Sequence, residues 1–347
     1  MSPPETSTEA SARGATLARL RQRHQAIWAL RSHLVAQGFW ELDTALLTPG
    51  PGLEPHLDPI AVDVHTRFDA GAEKRFLITS PELSLKRCLA LGASKVFQLG
   101  HVFRDGERTD RHAPEFTLLE HYRAPGMLEE LVVDVEELVE TAARALEVAA
   151  PHRPYARATV AELFTRHAGI DLRSAVLARR DGDGDALVRA ARGAGVQLRP
   201  GADFDDAFAG VMDQRVEPAL SRERPTVVSR WPAPMAALAR TCDDDPMFAE
   251  RFEIYAFASG AARNARPLEL CNAYDELTDA VEQRARFLED NDKRRALGKA
   301  PLPLDEDFLA SLPALPRSAG CALGVDRLLM LLLGAAHLDE VMALPWR

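Results

Sequence analysis

The sequence predicts an α+β protein in which an antiparallel sheet is flanked by helices. The stretch Lys95–Arg123 has the pattern of two antiparallel strands that a long, charged loop joins. Further strand-like segments, PTVVSRW and PLELCNAY among them, follow later in the chain. Helical patterns at residues 17–37 and 128–148 supply apolar stripes that can cover a sheet.

Composition limits the function classes. The chain has 347 residues, enough for one large domain or two ordinary ones, with 52 acidic against 42 basic side chains. This acidic balance argues against a protein whose main task is to grip a phosphate backbone, so nucleic acid is not the default partner. Four cysteines without a CxxC pair predict neither a zinc site nor a disulfide framework.

The ends of the chain and its apolar runs predict a cytoplasmic protein. Residues 1–16 are polar, contain no apolar signal-peptide core and predict a disordered tail. The longest apolar run, Leu328–Leu333, is too short to span a bilayer, so no membrane association is expected. Residues 17–347 are expected to form one domain, within which residues 151–225 are a variable helical insertion without recognisable chemistry.

The first helix is predicted from Leu17 to Gln37, with Gly38 as its stop. Its arginines are expected on a solvated face: Arg19, Arg21, Arg23 and Arg31. An extended segment, FWELDTALL, leads into a Pro/Gly-rich loop in which His56 is expected to be a surface residue without a role. The alternating segments DPIAVDVHTRF and KRFLITS then predict a hairpin or two strands.

The next helix begins within SPELSLKRCLALG. Ser80 suits the N-cap, Pro81 the first helical position and Glu82 the first turn. These preferences alone explain a helix start, so a purely structural role for Glu82 stays open.

The second strand of the central hairpin predicts a binding platform. Successive side chains of a strand point to opposite faces, so Phe116, Leu118, Glu120 and Tyr122 share one face. A flat ring and a phenol then lie roughly 20 Å apart with a carboxylate between them. An aminoacyl adenylate needs such groups: a ring for the base, a cation such as Arg104 for the phosphate, and acids and hydroxyls for a cationic substrate.

The C-terminal third supplies two more acids and an arginine. Glu269 and Glu276 are seven residues apart and would face opposite sides of an unbroken strand, so they share a site only if the chain bends near residues 272–274. The helix at residues 280–295 is highly charged and expected to be exposed. After the small-residue strand AGCALG, Arg327 opens a buried helix; a cation there opposes the helix macrodipole, which indicates a functional need for the charge.

Three separated segments resemble the class II aminoacyl-tRNA synthetases. The first helix with FWELDT is similar to their motif 1, the central hairpin to motif 2, and GCALGVDRLLML to motif 3. The variants HxPEFTxLExY, TSPExxxKR and ELxNxxxELTDA resemble the lysyl-tRNA synthetase branch. The resemblance implies a class II catalytic domain with an antiparallel sheet of about six strands, a homodimer through motif 1, and ATP and Mg²⁺ as cofactors.

Two features resemble shorter relatives that attach lysine to elongation factor P. Only the short tail precedes motif 1, where an anticodon-reading domain would stand, and Ala322 replaces a motif 3 glycine. The implied substrate is lysine or (R)-β-lysine, the implied acceptor is a lysine of elongation factor P, and tRNA is not expected. One added methyl is worth only about 1 kcal/mol, so Ala322 tunes the choice of substrate without fixing it.

The resemblance also implies roles for individual residues. Arg104 and Arg327 are the expected catalytic residues, and Glu269 and Glu276 the expected metal ligands. The expected ATP-binding residues are Arg104, Asp105, Gly106, Glu107, His112, Ala113, Phe116, Glu269, Leu270, Gly324 and Arg327. The expected substrate-binding residues are Ser80, Pro81, Glu82, Glu120, Tyr122, Glu276 and Ala322.

Two other functions stay open. A free-standing lysine-activating enzyme could use another acceptor, such as tRNA, a carrier protein or a small molecule. A non-catalytic sensor could use the same fold to bind lysine or nucleotide. Retention of Arg104 and Arg327 argues against the sensor, because a binder need not stabilise a charged transition state.

Overall fold

The computed structural model describes residues 7–65, 67, 71–236, 238–258, 260–262 and 265–345, with side chains from residue 16 onward. Its helices are α1 (Ser7–Ala36), α2 (Glu82–Ala90), α3 (Leu128–Ala145), α4 (Val160–Ala168), α5 (Leu172–Arg180), α6 (Ala186–Gly193), α7 (Phe204–Val211), α8 (Ala280–Ala296), α9 (Glu306–Ser311) and α10 (Val325–Leu333). Its strands are β1 (Trp40–Glu41), β2 (Leu47–Thr48), β3 (Ala61–Val64), β4 (Glu73–Leu77), β5 (Lys95–Phe103), β6 (Glu115–Arg123), β7 (Ala156–Thr159), β8 (Thr226–Pro232), β9 (Phe248–Ala256), β10 (Leu268–Asp275) and β11 (Ala319–Gly324).

Within the described residues, the main sheet has eight strands in the order β1-β5-β6-β11-β10-β9-β8-β7. The prediction of about six antiparallel strands is therefore wrong in number and in pairing. The inner strands pair antiparallel, but β1 pairs parallel to β5 and β7 parallel to β8. These edge strands have two and four residues, too few for an alternating pattern to reveal them.

The predicted central hairpin is confirmed. β5 and β6 pair in continuous register from Lys95 opposite Arg123 to Phe103 opposite Glu115. β11 lies on the other side of β6, which puts the motif 2 and motif 3 segments side by side. The predicted pair β3 and β4 forms a separate three-stranded sheet with β2.

The largest core lies between the main sheet and helices α1, α3 and α10. Ala319, Cys321 and Leu323 of β11 pack in this core. The residues that alternate with them, Gly320, Ala322 and Gly324, line a cavity. Period-two alternation thus gives one strand a packing face and a binding face.

Helix α1 begins at Ser7, within the segment predicted to be a disordered tail, and residues 1–6 lie outside the described residues. Three of residues 7–16 are Ala, the residue that most favours helix. Arg23 does not lie on a solvated face as expected. It donates to Thr117 Oγ1 at 2.5 Å and pairs with Asp326, so it fastens α1 to β6 and α10.

Helices α4–α7 of the predicted insertion form a second core with β8 and β9. None of the helices in the described ranges combines the length and apolar composition needed to cross a bilayer.

Candidate active site

A cavity of about 480 Å³ lies over β6, β10 and β11. Of the predicted nucleotide residues, those that line it are Arg104, Glu107, His112, Ala113, Phe116, Glu269, Leu270, Gly324 and Arg327. Of the predicted substrate residues, those that line it are Ser80, Glu82, Glu120, Tyr122 and Ala322. The predicted residues outside its lining are Pro81, Asp105, Gly106 and Glu276.

Asp105 and Gly106 form an exposed turn after β5 instead of facing the cavity. Asp105 Oδ1 accepts a hydrogen bond of 2.9 Å from the Gly106 amide, and Gly106 has a φ of +74°. This left-handed conformation favours glycine. The turn carries the chain from Arg104 to Glu107, so these two side chains reach the cavity and the residues between them do not.

Arg104 and Phe116 mark the nucleotide end. The Arg104 guanidinium carbon lies 5.0 Å from the centre of the Phe116 ring, a cation–π contact. The Arg104 amide donates to the Pro114 carbonyl at 2.9 Å, which continues the hairpin past its last strand pair. The arginine that leaves the first strand and the ring on the second are therefore adjacent, although eleven residues lie between them in the chain.

Arg327 joins the two motifs at this end. Its Nη1 donates to the Glu269 carbonyl at 3.0 Å and lies 3.4 Å from Glu269 Oε2. Its Nη2 lies 2.6 Å from His112 Nε2, and because an arginine only donates, this histidine nitrogen accepts. Burial and the charge of Arg327 lower the pKa of His112 to about 4, so the ring is neutral at pH 7. The loop of the hairpin is thereby tied to α10.

Asp326 positions Arg327, a role that was not expected for Asp326 from the sequence. Its carboxylate is buried, accepts a 2.7 Å hydrogen bond from the Thr117 amide and pairs with Arg23. The start of α10 is thus anchored to β6 through one side chain. The sequence feature that could have indicated this role is the position of Asp326 beside Arg327 in the first helical turn, where the helix dipole favours a carboxylate.

The other end of the cavity is a buried cluster of acids around Tyr122. The Tyr122 hydroxyl donates to Glu120 Oε1 at 2.6 Å, and the Ser80 hydroxyl donates to Glu120 Oε2 at 2.8 Å. Ser80 Oγ also accepts at 3.0 Å from the amide of Glu82, the first residue of α2, so one hydroxyl contacts both the start of the helix and Glu120. The N-cap of α2 is Pro81, one residue later than predicted. Burial, and next the charge of Glu82, raise the pKa of Glu120 to about 7.

Lys86 is a buried residue of this cluster that the sequence analysis missed. Its side chain is 0% exposed, lies 2.5 Å from Glu82 Oε1 and contacts Glu276 Oε2. Burial disfavours its charge, but Glu276 and Glu82 outweigh burial and raise the pKa of Lys86 above its ordinary value. The sequence feature that could have indicated this contact is the position of Lys86 four residues after Glu82 on a predicted helix, because such residues are neighbours on the helix surface.

A β-bulge lies between Glu269 and Glu276, and of these two residues only Glu269 lines the cavity. The register between β9 and β10 shifts between Glu269 and Cys271, which is earlier than the bend predicted near residues 272–274. The two predicted metal ligands have different partners, Arg327 for Glu269 and Lys86 for Glu276. No group of three or more His, Cys, Asp or Glu side chains arranged to hold a metal occurs among the described residues.

Gly320 is required for the position of the Tyr122 ring. A Cβ at Gly320 would lie 2.0 Å from Tyr122 Cε1, too close for the ring to keep its place. We expect Gly320→Ala to displace Tyr122 from Glu120 and to weaken amino-acid binding about tenfold or more, since a buried charged hydrogen bond is lost. The matched control is Gly100→Ala on β5, where an added Cβ meets nothing within 4 Å. Equal apparent KM values for lysine, the substrate that the resemblance implies, in the two variants would remove Tyr122 from the binding site.

The cavity has a third end that the sequence analysis did not predict. Its wall is formed by residues 54–57, residues 233–235, Asp205 of α7, and Arg286, Glu289, Asp290 and Lys293 of α8. His56 is exposed, as expected, but it belongs to this wall. Likewise the insertion, in which no chemistry was predicted, contributes Asp205.

Comparison with known proteins agrees with these motifs. The family model described as tRNA synthetases class II (D, K and N) matches residues 10–347. The elongation factor P–(R)-β-lysine ligase of Haemophilus ducreyi is 36% identical over 330 residues, 95% of this chain and 94% of that protein. Proteins of the same name from Erwinia tasmaniensis and Histophilus somni are 36% and 34% identical, over 95% of both chains in each case. The chain therefore belongs to the class II tRNA synthetase family.

Proposed function

We propose that this protein activates lysine or (R)-β-lysine with ATP and transfers the acyl group from the adenylate to a lysine side chain of elongation factor P. The observation that carries the proposal is one cavity with two arginines at one end and buried acids at the other, both along β6. The names of the three relatives support the same substrate and acceptor.

The acidic end suits a substrate with two ammonium groups. Glu82 and Glu276 both contact the buried cation Lys86, and Glu120 is close enough to Glu82 for their charges to interact, so the acids of this cluster outnumber Lys86 and leave negative charge for the substrate to neutralise. Glu120, with its pKa of about 7, holds a proton part of the time at neutral pH, and an arriving ammonium would displace it. Tyr122 and Ser80 fix both oxygens of Glu120, so the acceptor geometry exists before the substrate binds.

The arginine end suits the phosphates of ATP. In adenylate formation a substrate carboxylate oxygen attacks the α-phosphorus, and the bond to pyrophosphate breaks. Negative charge gathers on the α-phosphate in the transition state, where Arg104 and Arg327 would stabilise it. Phe116 would stack the base. No nucleophilic side chain is needed, since the two substrates react directly once they are positioned.

Glu269 fits a Mg²⁺ that accompanies ATP. Its side chain is 38% exposed, and a carboxylate oxygen together with phosphate oxygens is the ligand set that Mg²⁺ prefers. The bound ion would supply positive charge to the phosphates. Glu276 is fully buried against Lys86 and lies outside the cavity lining, so we propose that it holds Lys86 at the acidic end instead of binding the metal.

In the transfer step the acceptor amine attacks the acyl carbon of the adenylate. A carbon–nitrogen bond forms, the bond between the acyl carbon and the AMP oxygen breaks, and the nitrogen loses its surplus protons to solvent. Elongation factor P acts in translation, which would place the reaction in the cytoplasm.

Ala322 bears on the choice between lysine and (R)-β-lysine. It lies opposite Glu120 in the β6–β11 register and packs beside Phe116 against Ile78 and Leu118. Its methyl group thus occupies the part of the cavity between the ring and the acids, where the acyl segment of the substrate would lie. We propose that this favours the substrate whose amine is one carbon further from the carboxylate, and exchange rates with the two substrates compare them directly.

We infer a homodimer through α1 and β1. Trp28 is 62% exposed and Trp40 is 66% exposed, and these two elements are in contact. Large apolar side chains on adjacent elements mark an interaction surface. Light scattering of the purified protein tests the inference, since a monomeric mass at working concentration would contradict it.

The experiment that tests the proposed function is mass spectrometry of purified elongation factor P after incubation with the protein, ATP, Mg²⁺ and each substrate. A mass increase of one lysyl or β-lysyl group is expected. Exchange of pyrophosphate without any modification of elongation factor P would indicate another acceptor, and the absence of both would leave a binding protein.

A further inference from the structure

Glu54 lines the third end of the cavity, which is part of the same cavity as the acidic end and the arginine end. Burial and the charge of Glu82 raise the pKa of Glu54 above its ordinary value, and the charge of Arg104 opposes this shift. Gly52 makes room for Glu54: a Cβ there would lie 2.5 Å from Glu54 Oε2. The acids of the third end therefore line the same cavity as the residues assigned to the two substrates.

Three carboxylates in this end have an oxygen without a hydrogen-bond partner. They are Glu54 Oε2, Asp205 Oδ1 and Asp290 Oδ2, and all three residues line the cavity. Asp290 is only 5% exposed. A buried carboxylate oxygen without a donor is costly, so a native structure that keeps three of them in one cavity wall points to a ligand that donates hydrogen bonds there.

The charge of this wall identifies the class of ligand. Lys293 Nζ lies 3.9, 3.7 and 3.6 Å from carboxylate oxygens of Asp205, Glu289 and Asp290, respectively. It also donates a hydrogen bond to the Pro234 carbonyl at 3.3 Å. The other nearby cations have their own partners: Arg179 lies 4.0 Å from Glu289, and Arg286 pairs with Glu282.

The acids outnumber the cations that neutralise them. Burial raises the pKa of Asp290 to about 7 and also raises the pKa of Asp205, although Lys293 opposes both shifts. The missing group is thus a cation that donates hydrogen bonds, and a primary ammonium fits this description.

We propose that Asp290 and Asp205 form a subsite for the ammonium of the acceptor lysine. This inference rests on the proposed function, in which three reactants must meet: ATP occupies the arginine end, the activated amino acid occupies the acidic end, and the acceptor requires a third approach. The third end can give that approach because it belongs to the same cavity as the other two, and its carboxylate oxygens without partners carry the charge that attracts a lysine side chain.

The variants Asp290→Asn and Asp205→Asn test the subsite, because each removes a charge without changing the size of the side chain. Three assays are compared: lysine-dependent ATP–pyrophosphate exchange, capture of the adenylate by hydroxylamine, which is uncharged at neutral pH, and modification of elongation factor P. Nα-acetyl-lysine amide serves as a second, small cationic acceptor.

We expect exchange and hydroxylamine capture to stay within about twofold of the unmodified protein, which also shows that the variants fold. The KM for both cationic acceptors is expected to rise about tenfold or more, with a smaller change in kcat. The control is Asp292→Asn, a 75% exposed acid of the same helix that pairs with Arg295 and lies outside the cavity lining; it should change none of these values.

Two results would overturn the subsite. An unchanged acceptor KM in both variants would show that these acids do not meet the acceptor. A raised KM for lysine in the exchange assay would assign them to the activated substrate. Absence of exchange in the unmodified protein would instead refute the proposed function, so the two failures are distinguishable.

Discussion

Arg327→Ala is expected to lower lysine-dependent ATP–pyrophosphate exchange by about 10³-fold, because a preorganised cation that meets developing phosphate charge has an effect of this size. The side chain is 21% exposed, lies at the cavity wall and holds His112 and the Glu269 carbonyl in place. Its loss removes both a charge for the α-phosphate and the link between the hairpin loop and α10. The core around α10 does not depend on it, so the melting temperature should change little.

The control for this variant is Arg295→Ala. Arg295 is 57% exposed and pairs only with Asp292 among the ion pairs of the described residues. The variant removes the same type of side chain outside the cavity lining and should leave exchange unchanged. Near-normal exchange in Arg327→Ala, with a normal melting temperature, would refute the role given to Arg327.

Lys86→Met is expected to destabilise the protein by about 3–5 kcal/mol at neutral pH, the typical cost of removing one partner from a buried ion pair. Methionine keeps most of the volume but leaves Glu276 and Glu82 without their shared cation. Chemical denaturation measures the change. Lys74→Met, the same substitution at an exposed position of β4, is the control and should cost little.

The destabilisation in Lys86→Met should grow as the pH rises. Without Lys86, the pKa of the buried Glu276 carboxyl, already raised by burial, moves further above its unfolded value. A carboxyl whose pKa is higher in the folded state opposes folding once the pH exceeds the unfolded pKa, about 4.5. The two proteins differ only once Glu276 ionises beside Lys86 in the unmodified protein, so the gap should be small at pH 4 and widen as the pH rises through the folded pKa of Glu276. A gap that does not depend on pH would show that lost packing, and not charge, explains the effect.

The face of β6 could be predicted from the sequence because a strand alternates with a fixed period. Phe116, Leu118, Glu120 and Tyr122 line one cavity as that period requires. Arg104 and Arg327 reach the same cavity because the motifs to which they belong lie in adjacent strands or at their ends. Local patterning was sufficient for these residues.

Other parts depend on contacts between segments that are distant in the chain. The β-bulge at Glu269 and Cys271 has no signature in the sequence, so the bend in β10 was expected in the wrong place. Lys86 looks like an ordinary helix residue until Glu276 is brought against it. The third end of the cavity joins Glu54, Asp205 and Asp290, and only the packing of α7 and α8 brings these residues together. The edge strands β1 and β7 are too short to show any pattern.

The most direct test of the central claim, that one cavity joins lysine to ATP, is ATP–pyrophosphate exchange in the presence of lysine or (R)-β-lysine. The account predicts exchange that depends on the added amino acid, that is faster with (R)-β-lysine than with lysine, and that disappears in Arg327→Ala. Absence of exchange with both substrates, in a folded protein supplied with Mg²⁺, would contradict it.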